Sequence, residues 1–171
     1  MSVPRLTAVS YMVLGLIENA GEATPYQLKA FAAQSVGNFW TIQHAQLYTE
    51  CERLAKAGLL AEEREKAGRR RKTYRLTSAG RKALEAWRST PTTDIGELRS
   101  PGLLQLFFGA DPAPLARAQI EAHREKLAEY EALHGAAKDW LPDGQRLALE
   151  SGIAHERLWL KFWRSLGDNR S

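Results

Sequence analysis

Seven of the twelve residues from Arg64 to Arg75 are basic: Arg64, Lys66, Arg69, Arg70, Arg71, Lys72 and Arg75. Only Glu65 opposes them, so this segment carries a local +6, more than the +4 of the whole 171-residue chain. Guanidinium groups donate to phosphate oxygens two at a time, and a cluster this dense focuses potential toward polyanions. The chemistry on offer is electrostatic recognition, with nucleic acid as the first partner and an anionic membrane surface as the second. A second set of polar groups lies upstream. Gln43, His44 and Gln46 open a helical segment whose buried face is marked by Leu47, Cys51 and Leu54, which leaves them, with Thr49 and Glu50, pointing mainly elsewhere. In a major groove a glutamine can pair with adenine through both amide atoms, and a histidine can donate to guanine, so these three are the candidates for reading bases.

Catalytic chemistry has little to stand on. The chain has no Gly-rich phosphate loop, nucleophile elbow, paired metal ligands or paired carboxylates in a plausible cleft, and the lone Cys51 sits on a core face. The expectation is a protein that is not an enzyme and carries no cofactor. His123 and His134 are eleven residues apart on one helix face, but no third ligand accompanies them, and no metal site is expected. One cysteine permits no internal disulfide, which suits a reducing compartment, the cytoplasm by default. No apolar run is long enough to span a membrane. The stretch Ala8 to Ile17 could pass for a signal-peptide core, but Val9, Met12, Val13, Leu16, Ile17 and Ala20 follow the spacing of one helix face, and the residues after it make a poor cleavage site.

The elements that must position these groups follow from local rules. The first helix is the amphipathic one just described. Thr24-Pro25-Tyr26-Gln27 is a capping box with proline at the first helical position, opening a second helix through Leu28, Phe31 and Ala32 that stops near Gly37. Thr41 is the expected cap of a third helix ending at Gly58. Leu59 to Glu65 and Lys72 to Thr77 read as two strands joined by the basic turn, with Tyr74 and Leu76 on one face. Thr77 then caps a fourth helix carrying Ala79, Ala83, Leu84 and Trp87, which ends before Pro91. Three helices, a hairpin and a helix form the order of a winged helix-turn-helix, in which the third helix enters the major groove and the hairpin, the wing, meets phosphates or the neighbouring minor groove.

The two halves differ in charge. Residues 1–89 carry 14 Lys/Arg against 8 Asp/Glu, whereas residues 90–171 carry 10 against 12. In the second half Ala116, Ile120, His123, Leu127, Tyr130, His134 and Ala137 recur at alternating four and three residues, the seam of a long helix from Pro114 to Lys138. Trp140 to Gly144 supplies a turn, and a last helix returns from Gln145 to about Leu166. Its charged residues Arg146, Glu150, Arg157, Lys161 and Arg164 occupy a stripe only about 60° wide, so the apolar remainder needs more partners than this half provides. A second copy of the chain is the expected cover, and a two-fold dimer would present two recognition helices to a palindromic site. The expected fold is mainly α: a winged helix-turn-helix DNA-binding domain over 1–90, then a C-terminal antiparallel helix pair for dimerisation over 91–171.

At Leu47-Tyr48, Glu52-Arg53-Leu54, Gly58-Leu59, Gly68-Arg69-Arg70-Arg71-Lys72-Thr73-Tyr74 and Leu76-Thr77-Ser78-Ala79-Gly80-Arg81, the chain resembles the PadR family of bacterial transcriptional regulators. Leu98 to Gly109 and Leu147 to Arg157 are similar to that family's helical dimerisation region. The resemblance implies a homodimeric regulator, a repressor, bound to double-stranded DNA. It implies phosphate or minor-groove contacts for Arg69, Arg71 and Lys72, with Arg70 standing where relatives often have proline, and a phosphate contact for the Tyr48 hydroxyl. Relatives bind flat phenolic or drug-like ligands, and Trp87, Trp140, Trp159 and Trp163, with His155 to orient a ligand, could line a pocket for a small aromatic effector. The competing reading is a winged-helix module that contacts proteins or anionic surfaces without specific DNA readout.

Overall fold

The computed structural model describes residues 5–64, 71–137 and 139–167. They form two compact units, 1–94 and 95–171. The first contains α1 (Ala8–Ala20), β1 (Glu22–Ala23), α2 (Pro25–Ala33), a 3-10 turn (Val36–Asn38), α3 (His44–Lys56), β2 (Leu60–Arg64), β3 (Lys72–Leu76) and α4 (Ser78–Arg88). The second contains α5 (Pro101–Phe107), α6 (Pro112–Ala137) and α7 (Asp143–Gly167). The fold class read from the sequence stands: a mainly helical chain with a winged helix-turn-helix followed by a helical region.

The caps explain where most elements begin. At α2, Gln27 Oε1 accepts from the Thr24 N–H at 2.9 Å while the Thr24 hydroxyl accepts from Gln27 N–H at 3.3 Å. At α4, the Thr77 hydroxyl accepts from Gly80 N–H at 3.0 Å. The third helix differs from expectation. It starts three residues after Thr41, because 40–43 take no regular secondary structure, and its N-cap is Gln43, extended in backbone, whose N–H donates to Gln46 Oε1 at 3.4 Å. The second helix ends at Ala33, and the 3-10 turn uses the residues up to Asn38. Gly58, with φ of 75°, closes α3 as expected, and the backbone turns there directly into β2.

Alternation fixes the sheet. The order is β1-β3-β2, all antiparallel, with Glu62 opposite Tyr74 and Arg64 opposite Lys72. Tyr74 and Leu76 face the core, which gathers Val13, Leu14 and Ile17 of α1, Leu28 of α2, Leu47, Cys51 and Leu54 of α3, and Leu84 of α4. Each fully buried leucine there contributes about 1.5–3 kcal/mol relative to exposure. The buried face of α1 is turned slightly from the one the spacing predicts: Ser10 and Leu14 are buried, while Val9 and Met12 are half-buried and Ala20 is exposed. Helices α6 and α7 pack antiparallel, with Tyr130 against Gly152 and His123 bonded to Glu156. All seven seam positions of α6 are buried or half-buried.

Candidate nucleic-acid interface

The buried side of α3 is Leu47, Cys51 and Leu54, and at 100° per residue the arc opposite them is centred on Ala45, Thr49 and Glu52, all exposed. Gln46 and Tyr48 flank that arc on either side, Gln46 exposed and Tyr48 41% exposed. Gln43 is exposed at the helix entrance. The backbone of His44 opens the helix. Thr49 belongs with the base-facing candidates on position, although its hydroxyl donates to Ala45 O at 3.0 Å within the helix.

Glu50 does not share the polar face. It is buried, and Arg53 donates to both of its carboxylate oxygens at 2.9 and 2.6 Å, while the Arg53 Nη2 also donates to the buried Ser10 hydroxyl of α1 at 2.9 Å. Burial alone would raise the Glu50 carboxyl, but the Arg53 and Ser10 hydrogen bonds and the Arg53 charge outweigh it and hold it below the usual carboxylate range. The effect is mechanical: the middle of α3 is clamped to the start of α1. Sequence spacing places Glu50 at the margin of the buried face, and only the partner on α1 decides which way it turns. Burial, followed by the nearby Glu50 charge, pushes the Cys51 thiol up to about 12, leaving it in its protonated, unreactive form.

The wing base flanks α3. Lys72 Nζ lies 2.5 Å from Glu52 Oε1 of α3, joining the basic hairpin to the exposed side of that helix. Arg71 is exposed and makes no ion pair with any described residue. Arg69 and Arg70 lie outside the described residues. Arg75, on the outer side of β3, is within 3.5 Å of Glu63 and 3.9 Å of Glu22.

Of the aromatic residues predicted to share an effector pocket, Trp159 and Trp163 meet within the second unit. Trp87 belongs to the first unit and stacks on Tyr11 of α1, ring centroids 4.8 Å apart. Trp140 is 71% exposed after α6, its indole N–H donating to Ala136 O. Trp159 does meet others: its N–H donates to His155 Nε2 at 2.7 Å, and its ring stacks on His123 and on Trp163. Trp163 is fully buried core, and its Nε1 has no hydrogen-bond partner among the described residues. No group of three or more metal-ligating side chains occurs among the described residues, and none of their helices is long and apolar enough to cross a membrane.

With this geometry in hand, comparison with known proteins is specific. Residues 13–86 match the "Transcriptional regulator PadR-like family", and residues 98–166 match "Virulence activator alpha C-term". The negative transcriptional regulator PadR of Bacillus subtilis (strain 168) is 24% identical over 178 residues, covering 94% of this chain and 96% of its own. Its crystal structure in complex with operator DNA superposes with a TM-score of 0.82 at 21% identity, over 94% of this chain and 97% of that one. Its complex with p-coumaric acid gives a TM-score of 0.74 at 20% identity, over 95% and 96%. The family match covers the winged-helix unit from the middle of α1 almost to the end of α4, and the likeness in fold continues through α7: the winged-helix unit of this chain belongs to the PadR-like family of transcriptional regulators.

Proposed function

We propose that the chain represses transcription as a homodimer bound to a palindromic operator, with α3 in the major groove and the wing on the flanking phosphates. The observation that carries this reading is the 2.5 Å contact between Lys72 and Glu52, since it sets the cationic hairpin beside the exposed arc of α3 and so presents both to one duplex. Gln43, His44 and Gln46 read bases; Tyr48, Arg69, Arg70 and Arg71 hold phosphates. Selection of bound fragments from the source genome by purified protein tests the reading. A recovered palindrome supports it, and retention of anionic vesicles or proteins with no duplex preference would favour a contact module instead.

Base reading predicts a qualitative result for one side chain. Replacing Gln46 by Ala should change which sequence is recovered while non-specific affinity stays within about threefold, because a bidentate base contact is worth roughly 1–3 kcal/mol of discrimination. The same consensus before and after would remove Gln46 from the readers.

The dimer is supported by α7. Leu147, Ser151, Ala154 and Leu158 recur at four, three and four residues and are all exposed, with Leu147 at 56% and Leu158 at 63%. Such a seam, apolar and small, fits the equivalent seam of a second copy. Leu147→Glu with Leu158→Glu is expected to give a monomer by sedimentation velocity, with the far-UV spectrum retained. An unchanged dimer would place the interface elsewhere. A flat aromatic acid is the proposed effector, in keeping with the p-coumaric acid complex of the Bacillus subtilis relative. The neighbourhood of His155 and Trp159 is its proposed site, because Trp163 is enclosed in the core and Trp87 and Trp140 are engaged elsewhere.

A further inference from the structure

One basic side chain of the wing is already committed. Side chains alternate along a strand, so Lys72 shares the face of Tyr74 and Leu76, the two residues β3 buries, while Arg71, Thr73 and Arg75 have the opposite parity. On β2 the matching face carries Leu60, Glu62 and Arg64. The Lys72 ammonium stands 2.5 Å from Glu52 of α3 and 3.6 Å from Glu62 of β2. Glu62 is fixed in turn by the buried Tyr74, whose hydroxyl donates to it at 3.1 Å, and by Arg64 Nε at 2.6 Å. Arg64 and Lys72 are directly opposed in the register. Like charges so placed repel, and the Glu62 carboxylate between them offsets that cost.

We infer that Lys72 is a positioning residue that braces the wing against α3 and cancels the charge of Glu52 beside the duplex, and that it is not among the phosphate ligands. The inference rests on the DNA-binding reading above. Turning Lys72 out to a phosphate would gain one contact and leave Glu52 and Glu62 short of a cation next to a polyanion, so the brace is the better use of its charge. In place, it fixes the spacing between the wing and the recognition helix. The hydrogen bond from Lys72 also holds the Glu52 carboxyl below its ordinary range.

The test uses Lys72→Met and Glu52→Gln, singly and together, with affinity for one duplex measured across a range of salt. Lys72→Met should weaken binding roughly 3- to 10-fold through the exposed carboxylates, with no change in the slope of log Kobs against log salt. Adding Glu52→Gln should recover part of that loss, since no unpaired carboxylate remains at that position, while the missing brace keeps the double variant below the parent. A slope that falls by about 0.9 in Lys72→Met, or a double variant as weak as Lys72→Met, overturns the inference. A second measurement needs no DNA. The Glu52 carboxyl carbon, followed by NMR, should titrate below the ordinary carboxylate range in the parent and move up in Lys72→Met; an identical titration in both overturns the brace. If the parent binds no duplex, the regulatory reading fails on its own, and the titration still decides whether the brace exists.

Discussion

Replacing Arg69, Arg70 and Arg71 together by Ala is expected to weaken binding to every duplex, operator or not, by on the order of 10²–10³ at low salt. The salt slope should fall by about 2.7, roughly 0.9 for each phosphate no longer neutralised. Arg71 starts exposed and without an ion pair among the described residues, so its guanidinium reaches a phosphate without first abandoning a carboxylate. Phosphate contacts position a protein without naming bases, so the preferred sequence should survive the triple substitution even as affinity collapses. Fluorescence anisotropy titrations from about 50 to 200 mM salt measure both quantities. An unchanged slope would remove the wing from the contact surface. Arg71→Ala alone should take about a third of the slope change, whereas Lys72→Met should take none, and this contrast between adjacent residues separates ligand from brace.

The sequence made legible what local rules govern. The Thr24-Gln27 box, the Thr77 cap and the Gly58 terminus depend on backbone groups within four residues, and each element edge they mark agrees with the structure to within a residue or two. Likewise, the α6 seam is visible because its spacing repeats over seven positions. Short or partner-dependent features were not visible. Strand β1 has two residues, Glu22 and Ala23, and exists only because β3 offers its edge. Helix α5 has seven, opened by the Ser100 cap and Pro101; the family resemblance put Leu98 to Gly109 in a helical region, but too little periodicity followed the cap for spacing alone to mark the helix. For Glu50 the deciding partners are Arg53 and, through it, Ser10 forty residues away. Parity along β3 could have found the inward Lys72, because Tyr74 and Leu76 already defined the buried face; the density of basic charge around it pointed the other way. The tryptophans show the limit most plainly, since composition cannot distinguish the stacked Trp87, the exposed Trp140 and the enclosed Trp163.

Gly80→Ala is expected to cost the winged-helix unit about 3 kcal/mol or more, lowering its thermal midpoint by roughly 12 °C or more. Alanine is ordinarily the better helix residue by about 1 kcal/mol, so the sign here depends on space alone. A Cβ at Gly80 would stand 2.2 Å from Leu59 O and 2.9 Å from Leu76 Cδ2. The leucine tip can move. The carbonyl cannot, because Leu59 O already accepts from the Thr77 N–H at 3.2 Å and the Thr77 hydroxyl lies 3.0 Å from it. These bonds tie the first turn of α4 to the chain where α3 passes into β2, so moving Leu59 would disturb the cap, the hairpin and the end of α3 at once. Gly15 in α1 is the control. A Cβ there meets nothing within 4 Å, and Gly15→Ala should stabilise by about 0.5–1 kcal/mol. Urea denaturation followed by circular dichroism measures both. If Gly80→Ala proved as stable as the parent, α4 would have to sit farther from Leu59, and the joint that seats the wing against α3 would be correspondingly looser.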